Sequence, residues 1–565
     1  MNMKTININK KRLMNLKKLG CTAFLIFSFS QSLNLLTACS DWNDHYENTA
    51  EGGAASGTLW QQLKANPQLS DFCEVLEQTK VYRMHKKTPV SYADLLNSGQ
   101  AFTVMAPVNN SFNKDSLLQL VQTVAGDSSV EKSFVQNHIV RSMVSSGPYS
   151  VRMLMMNLKY QDMVDGKVEG VPVTLANNKT SNGVFHVLER ALPYKYNLFE
   201  LFCDHPQLSV IGENLRRFNE EVFDPDASVS NGVVDGVPVY VDSVVYERNR
   251  LLDAIGLLRD EDSLYYVVAP TTEGWNEAYN EASQYFKYDE TIEKRDSLQQ
   301  YHTLRALMED AVFNLTDQRS VKDSLISVPY IYTVPNYSKG KKVYHVFHKP
   351  FEPGGILDGA QPLLCSNGIL FTTPKWSLKP TDTYFKDIFI EGEDTYLIFD
   401  YDRCTYNVRT VTGDSISNKK YLRINYVNAT QNWTVNFQLN NTLSGSYDVY
   451  AILLPKSVYD QDNADLRPCK FKATINYMEE KGKAAEYACQ TEEGKSEFVS
   501  NPERVDTILL ARDFKFPACN YGQSNMNYSI KIQSSITARQ TSQYAREMFL
   551  DCIYLRPHTS KSEEQ

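Results

Sequence analysis

The sequence lacks several features that would assign it to a common functional class. No run within the 565 residues reaches the roughly 20 consecutive apolar residues of a membrane-spanning helix. Phosphate-binding loops, Gly-x-Gly-x-x-Gly turns, His-Glu-x-x-His zinc motifs and Gly-x-Ser-x-Gly nucleophile turns do not occur. A basic patch is also missing, because 58 lysines and arginines face 67 aspartates and glutamates. We therefore predict no nucleic-acid partner, and we identify no catalytic residue.

The overall composition is that of folded globular protein. Hydrophobic residues make up 42% and charged residues 22% of the chain, which excludes extensive disorder and a polytopic membrane protein. At about 100–200 residues per domain, the length predicts three or four domains.

The N-terminus has the pattern of an export signal. Six basic residues and no acidic residue precede an apolar run at residues 19–27. The following Leu36-Thr37-Ala38-Cys39 resembles the bacterial lipobox, in which the cysteine receives a diacylglycerol and an N-acyl chain. We therefore predict a lipoprotein signal peptide at residues 1–38, lipidation of Cys39 and a lipid anchor in a membrane. The alternative is an ordinary signal peptide with an incidental cysteine.

The segment after Cys39 is acidic. Removal of residues 1–38 takes away six positive charges and no negative ones, which moves the formal net charge from −9 to −15. Asp41, Asp44, Glu47 and Glu51 resemble the signal that sends lipoproteins of some Gram-negative bacteria to the outer face of the outer membrane. The alternative, compatible with the first, is a solvated tether. With the glycine-rich residues 52–57, this tether spans residues 39–57.

The sequence also lacks the spacing of metal ligands. No two of the ten cysteines form a Cys-x-x-Cys pair. His345 and His348 lie three positions apart on a predicted strand and so face opposite sides of it. We predict neither a metal site nor a cofactor other than the lipid. Five of the eight cysteines beyond Cys39 follow residue 400, and in an exported chain one or two disulfides are expected there.

Two pairs of motifs recur along residues 58–380. Phe102-Thr103-Val104-Met105-Ala106-Pro107 recurs as Tyr265-Tyr266-Val267-Val268-Ala269-Pro270, an apolar strand that ends at Ala-Pro. Ser181-Asn182-Gly183-Val184-Phe185-His186 recurs as Ser366-Asn367-Gly368-Ile369-Leu370-Phe371, a turn followed by a strand. We expect Asn109 or Asn110 to cap a helix that begins near Ser111.

These motifs resemble those of the fasciclin domain, a family of adhesion and binding modules. The first copy fits from Phe102 to Phe112, at Asn137-His138, and from Asn182 to Glu189. The second copy departs from the pattern, since Leu304-Arg305 replaces Asn-His and Phe371 or Leu370 replaces His186. The resemblance implies a fasciclin-like domain at 58–196 and a diverged one at 197–384. We interpret His138 and His186 as core histidines.

From about residue 387 short strands rich in Thr, Val, Ile and Tyr follow one another, which predicts a β-sandwich at residues 385–558. Trp433-x-Val435-x-Phe437-x-Leu439 and the closing segment 551–557 resemble the galactose-binding-like jelly roll of carbohydrate-binding modules. Trp433 shares its face with three apolar residues and is assigned to the core. Tyr450, on the opposite face from Tyr447, is the predicted residue for stacking on a sugar.

The predicted fold is thus α+β and multidomain, with two fasciclin-like α/β repeats followed by an all-β jelly-roll sandwich. The predicted function is that of a non-catalytic surface lipoprotein that binds a glycan or peptide beside an outer-membrane importer, made of a TonB-dependent porin and its lid lipoprotein. We expect binding to reside in the sandwich. One alternative is an adhesin that holds a host or neighbouring-cell protein through the fasciclin repeats. Another is a hydrolase with two carboxylates about 5–10 Å apart in a cleft.

Overall fold

A computed structural model describes residues 57–83, 86–234, 237–315, 323–328, 330–332, 341–411, 416–459 and 465–558. The chain separates into two compact units that meet between Tyr194 and Lys195, and each is treated by itself below. Cys39, the predicted signal peptide and the acidic tether lie outside the described residues.

The described residues of unit 1 form five α-helices and nine strands. The helices are α1 (Leu59–Ala65), α2 (Ser70–Gln78), α3 (Tyr92–Leu96), α4 (Lys114–Leu120) and α5 (Val124–Val130). The strands are β1 (Lys80–Arg83), β2 (Lys86–Ser91), β3 (Phe102–Pro107), β4 (Ile139–Val140), β5 (Val151–Leu154), β6 (Tyr160–Val164), β7 (Lys167–Val168), β8 (Val171–Thr180) and β9 (Gly183–Leu188).

A seven-stranded sheet with the order β4-β3-β9-β8-β7-β6-β5 organises unit 1. Both predicted strands, β3 and β9, are buried along their whole length and run parallel to each other, with Phe102 opposite Gly183. One face of this pair packs on the helices, where Phe72, Leu76 and Tyr92 are fully buried. Burial on both faces explains why these two strands are mostly apolar, with Thr103 and His186 as buried polar exceptions.

The turn that leads into β9 fixes it against α1. Asn182 accepts a hydrogen bond from Leu59 N (2.6 Å) and donates to Leu96 O (2.9 Å) and Ser98 O (2.6 Å). Gly183 has φ 156°, and a Cβ at this position would lie 2.2 Å from Phe102 O. The Asn-Gly sequence therefore does more than turn the chain, because the amide ties three segments together and only glycine fits beside β3.

The predicted cap of the next helix is wrong. The helix begins at Lys114 rather than near Ser111, and its cap is Asn113, which accepts from Ser116 N (3.1 Å). Asn109 instead accepts from Asp71 N (2.9 Å) and donates to Pro67 O (2.8 Å) at the start of α2. The side chain thus serves an earlier helix, brought near by tertiary packing.

Unit 2 begins with a second α/β region. Its helices are α6 (Leu198–Asp204), α7 (Ser209–Arg216), α8 (Arg250–Ile255), α9 (Thr272–Tyr285) and α10 (Arg295–Glu309). Its strands are β10 (Asn219–Val234), β11 (Val237–Asn249), β12 (Tyr265–Pro270), β13 (Val312–Asn314), β14 (Ser324–Ile326), β15 (Tyr330–Tyr332), β16 (Lys341–Val343), β17 (Val346–His348), β18 (Gln361–Cys365) and β19 (Gly368–Thr373).

The central strands of this region repeat the arrangement of unit 1. In the sheet β13-β12-β19-β18, β12 and β19 run parallel, with Tyr265 opposite Gly368. Asn367 accepts from Leu198 N (2.9 Å) and donates to Leu258 O (2.9 Å) and Asp260 O (3.0 Å). A Cβ at Gly368 would lie 1.9 Å from Tyr265 O, so glycine is required here for the same reason as in unit 1.

The remainder of unit 2 is made of twelve strands among the described residues. They are β20 (Ile388–Glu391), β21 (Ile398–Asp402), β22 (Cys404–Thr410), β23 (Lys420–Tyr426), β24 (Thr434–Gln438), β25 (Ser446–Leu453), β26 (Lys470–Met478), β27 (Ala484–Ala488), β28 (Phe498–Val499), β29 (Asp506–Lys515), β30 (Ser529–Ser534) and β31 (Met548–Pro557).

These strands form two antiparallel sheets whose inner faces share one core. One sheet has the order β22-β23-β31-β25-β29 with β20 also paired to β31, and the other β21-β24-β30-β26-β27 with β28 paired to β26. Successive strands pass repeatedly from one sheet to the other. Trp433 is fully buried in the core beside Val435 and Phe437, as assigned from the sequence, and its Nε1 donates to Arg546 O (2.7 Å). The predicted α+β class with a C-terminal sandwich is confirmed.

The α/β region of unit 2 and the sandwich are joined by hydrogen bonds and a shared apolar cluster. Ser444 N donates to Tyr285 O (2.9 Å), and Cys519 N donates to Lys287 O (2.6 Å). The ring of Phe385 packs on that of Tyr447 with centroids 5.0 Å apart. Phe286 belongs to the same buried cluster as the sandwich core. The two regions therefore stabilise each other.

All eight described cysteines are free thiols: Cys73, Cys203, Cys365, Cys404, Cys469, Cys489, Cys519 and Cys552. The expected C-terminal disulfides are thus absent from the part of the chain that the structure describes. Burial raises the pKa of the Cys469 thiol to about 12, which makes it unreactive. The six buried cysteines, all except Cys203 and Cys365, serve as small apolar groups in the core.

His138 and His186 are core residues, as interpreted from the sequence. His138 is fully buried between Phe72 and Phe134, its Nδ1 pairs with Phe134 O (2.7 Å), and its Nε2 accepts from Leu192 N (2.9 Å). Burial lowers the pKa of His138 to about 4, so the ring is neutral at physiological pH.

Candidate functional site

A cavity of about 720 Å³ lies in unit 2 between the α/β region and one end of the sandwich. We call it the junction cavity. One wall is α10 with the residues that follow it, the second is segment 383–397, and the third is the loop between β24 and β25. Its volume falls within the range of small-ligand sites, about 300–1,000 Å³.

Two amide side chains line the junction cavity without partners. Gln438 ends β24 and is 2% exposed, and Asn440 follows it in the loop and is 6% exposed. Within the described residues, no protein group lies within hydrogen-bonding distance of Gln438 Nε2, Asn440 Nδ2 or Asn440 Oδ1. An unpaired buried polar atom costs about 1–3 kcal/mol, so a ligand that pairs with these atoms would recover this energy on binding.

The alternation of β24 explains the position of these amides. Val435 and Phe437 point into the sandwich core, and the intervening residues Asn436 and Gln438 point to the other side of the sheet. The amide of Asn436, in contrast, has a hydrogen-bond partner, because its Nδ2 donates to Asp400 Oδ2 (2.8 Å). Gln438 lies farther along the strand, where the α/β region covers the sheet and the cavity opens.

Aromatic side chains form much of the remaining wall. Tyr384, Phe389, Tyr396, Tyr447 and Tyr521 line the cavity. Phe389 is 52% exposed, whereas Tyr447 is fully buried and accepts a hydrogen bond from Leu443 N (3.2 Å). Aromatic groups beside amides can provide both apolar contact and directional hydrogen bonds to a ligand.

The charged residues of the cavity are mostly engaged with one another. Arg305 Nε donates to Glu309 Oε1 within α10, and His345 Nδ1 lies 2.6 Å from Asp310 Oδ1. Burial raises the pKa of Glu309, and the adjacent Arg305 opposes this shift. Such pairing fixes the side chains of this wall.

Segment 383–397 adds charges of both signs. Asp387 lies 3.7 Å from Arg556, and Glu391 Oε1 accepts from Ser417 Oγ (3.0 Å). Lys386 is half-buried, and desolvation lowers the pKa of its ammonium despite the nearby carboxylates of Asp310, Asp382 and Asp387. The cavity is therefore polar, with more carboxylates than cations.

No group of three or more histidine, cysteine, aspartate or glutamate residues is arranged to hold a metal ion in the described ranges. His345 pairs with Asp310, and His348 Nδ1 lies 2.8 Å from Ser324 Oγ. None of the described helices is long and apolar enough to cross a membrane.

Tyr450 lies outside the junction cavity, on the outer face of a sandwich sheet. Its ring stacks on Tyr554, with centroids 4.8 Å apart and planes 12° apart, and Tyr554 stacks in turn on Phe389 at 5.7 Å. The three rings form a row across β25, β31 and β20. One face of the Tyr450 ring is thus covered by Tyr554, which leaves less of the ring for a sugar. Of the row, only Phe389 also lines the cavity.

Sequence reasoning did not identify Gln438 and Asn440. Their alternation with the apolar residues of β24 is typical of a solvent-facing strand side, and their burial depends on a distant part of the chain. The only available signal was the concentration of amides at residues 436–441, which is unusual beside a core strand.

Comparison with known proteins identifies part of unit 1. The sequence model of the fasciclin domain family matches residues 68–194, the segment that carries the first pair of recognised motifs. This match confirms the predicted resemblance for that segment. No curated protein matches the chain.

Three solved structures illustrate the structural similarities. A fasciclin domain pair from the insect cell adhesion molecule Fasciclin I is 13% identical, covering 51% of this chain and 92% of its own, with a TM-score of 0.17. A family 35 carbohydrate-binding module from Clostridium thermocellum is 11% identical, covering 31% and 99%, with a TM-score of 0.18. A family 11 module from the same organism, in complex with a mixed-linked tetrasaccharide, is 10% identical, covering 30% and 95%, with a TM-score of 0.16. These values support no conclusion about what this chain binds.

Proposed function

We propose that this protein is a non-catalytic, lipid-anchored surface protein that captures a glycan in the junction cavity. The observation that carries the proposal is the pair of buried amides, Gln438 and Asn440, which line the cavity and have buried polar atoms without a protein partner. Sugar hydroxyls both donate and accept hydrogen bonds, so a single ligand can satisfy both amides. The aromatic wall supplies the apolar contact that sugar ring faces need.

A binding role fits the carboxylates better than a hydrolytic one. Glu309 is held by Arg305, Asp310 by His345 and Asp387 by Arg556. A glycosidase requires one carboxylic acid free to protonate a leaving group and a second free to attack or to activate water. Carboxylates held in ion pairs position the wall of a binding site instead.

The binding proposal is tested in two steps. A glycan array probed with residues 40–565 identifies the best oligosaccharide, and calorimetry then measures its affinity. Gln438→Leu with Asn440→Leu should weaken binding at least tenfold, since each lost charge-neutral hydrogen bond is worth about 0.5–1.5 kcal/mol. Asn436→Leu is the matched control, because Asn436 lies on the same side of β24 but pairs with Asp400. Equal affinity of the double variant and the wild type would refute the site.

Anchoring through Cys39 is the second part of the proposal. Cys39→Ala should abolish both palmitate labelling and partitioning into the detergent phase, because acyl chains contribute about 0.8 kcal/mol per buried methylene. Replacement of Asp41, Asp44 and Glu47 by Ala should keep the lipid but reduce protease accessibility on intact cells. Label that persists in Cys39→Ala, or unchanged accessibility in the second variant, would contradict the corresponding part.

We further propose that the α/β region of unit 2 is a second, diverged fasciclin-type domain and that the protein serves an importer of the porin and lid-lipoprotein type. The repeated Asn-Gly anchors at Asn182 and Asn367 support the first point. The second rests on the sequence resemblance alone, and adjacent genes for such a porin pair would support it. Co-purification of the importer with the full chain from membranes is the direct test.

An adhesin is the alternative function, and the fasciclin family match at residues 68–194 favours it. In that case unit 1, rather than the junction cavity, holds a protein on another cell. Cell attachment that survives Gln438→Leu with Asn440→Leu but is lost on deletion of residues 58–194 would support adhesion over glycan capture.

A further inference from the structure

The charges around the junction cavity are unbalanced. Five carboxylates line it, those of Glu309, Asp310, Asp387, Glu391 and Asp394, against the cations of Arg305 and Lys386, and Asp387 also lies 3.7 Å from Arg556 outside the lining. We propose that the cavity selects oligosaccharides without acidic groups and rejects uronate-containing or sulfated ones. This inference rests on the proposed function and names the class of glycan that the same site takes.

Arg305 is paired with a protein carboxylate, whereas Lys386 has carboxylates nearby but no ion pair among the described residues. Arg305 donates to Glu309 inside α10, and the ammonium of Lys386 lies among the carboxylates of Asp310, Asp382 and Asp387. A bound uronate would have to take Arg305 from Glu309, or pair with Lys386 against the repulsion of the three carboxylates near it. Removal of one partner from a buried charge pair leaves the other charge uncompensated, which is unfavourable.

The carboxylates also come from several walls of the cavity. Glu309 and Asp310 lie at the end of α10, whereas Asp387, Glu391 and Asp394 lie in segment 383–397. An anionic ligand therefore meets negative charge from both sides, and the low dielectric of a half-enclosed site strengthens the repulsion.

Three of the buried polar atoms without partners in the cavity wall belong to uncharged amides. Gln438 Nε2 and Asn440 Nδ2 donate hydrogen bonds, and Asn440 Oδ1 accepts one. Hydroxyl and acetamido groups complement such a set, while a carboxylate can pair with the two donors but leaves the acceptor unpaired. The hydrogen-bonding groups and the charges thus favour the same class of ligand.

The test compares each neutral oligosaccharide with its counterpart oxidised at C6, since the two differ only by carboxylates in place of hydroxymethyl groups. Calorimetry of residues 40–565 at pH 7.5 uses the trimers of β-1,4-glucose, β-1,4-galactose and β-1,4-mannose as probes. We expect the neutral form of the best probe to bind at least tenfold more tightly than the oxidised form. Asp387→Asn with Asp394→Asn should reduce this difference in affinity between the neutral and the oxidised form.

A matched variant separates local charge from net charge. Asp402→Asn with Glu492→Gln removes the same two charges from exposed ion pairs of the sandwich, outside the cavity, and should leave the difference unchanged. If both double variants reduce the difference in affinity between the neutral and the oxidised trimer equally, selection by the charges of the cavity is refuted.

The remaining outcomes distinguish this inference from the proposed function. Equal or tighter binding of the oxidised trimer, lost in Gln438→Leu with Asn440→Leu, overturns the selectivity while the cavity remains a glycan site. Absence of binding by every neutral and oxidised probe overturns both. Binding of neutral trimers that is unaffected by the amide substitutions overturns the site and therefore the selectivity argued for it.

Discussion

The two asparagines that anchor β9 and β19 offer a sharp test of the architecture. Asn182→Ala should destabilise unit 1 and leave unit 2 unchanged, whereas Asn367→Ala should do the reverse. Each side chain makes three hydrogen bonds to backbone groups of two other segments, at 2.6–2.9 Å for Asn182 and 2.9–3.0 Å for Asn367. Each variant is therefore the matched control of the other.

The expected magnitude follows from the number of bonds. A net contribution of about 1 kcal/mol per hydrogen bond predicts a loss of about 3 kcal/mol in either variant. Native-state hydrogen exchange with mass spectrometry reads the two units separately, because peptides are assigned by sequence. Peptides of the affected unit should exchange about 100-fold faster under conditions where exchange reports stability.

Two results would refute this reasoning. Faster exchange confined to the residues next to the substitution would show that the anchor acts locally and does not support the whole unit. Equal acceleration in both units from a single substitution would contradict the division at residues 194 and 195.

Three further predictions concern buried groups and the sandwich. Burial lowers the pKa of His138 from about 6.5 in the unfolded chain to about 4, so its contribution to the stability of unit 1 is complete above pH 6.5. About 3 kcal/mol of the free energy of unfolding of unit 1 should be lost as the pH falls from 6.5 towards 4. In His138→Gln, the hydrogen exchange of unit 1 peptides should therefore depend less on pH. Trp433→Ala should destabilise unit 2 by about 3–5 kcal/mol, measured by urea unfolding, while a loss below 1 kcal/mol would contradict its core position. A fragment of residues 385–558 should bind the best oligosaccharide more weakly than residues 195–558, because α10 is missing from the cavity wall; equal affinity in calorimetry would show that the sandwich suffices.

The fold was predictable where the sequence pattern and the tertiary environment agree. The strands at Phe102–Pro107 and Tyr265–Pro270 are almost entirely apolar, and both are central, largely buried strands of their sheets. The cap at Asn113 was not predicted because three asparagines, at 109, 110 and 113, have equal intrinsic capping ability. Asn109 instead accepts a hydrogen bond at the start of α2, a tertiary contact that no local sequence pattern predicts.

The candidate site was not predictable for a physical reason. Its walls come from α10, segment 383–397 and the loop after β24, which are more than 50 residues apart in places. Tyr450 was selected because one face of a strand in an isolated sandwich is exposed, and the row with Tyr554 covers one side of its ring. In an isolated sandwich Gln438 would likewise be exposed, and its burial depends on another region that covers β24.

The position of β31 has a consequence for the order of synthesis. This strand, Met548–Pro557, is the middle of its sheet and pairs with β20, β23 and β25. Ribosomes make a chain from the N-terminus, so the sheet remains open until its last strand has emerged, while unit 1 is complete some 350 residues earlier. A premature stop just before residue 548 should therefore yield a protein with a native unit 1 and an aggregation-prone sandwich, rather than a slightly shortened molecule.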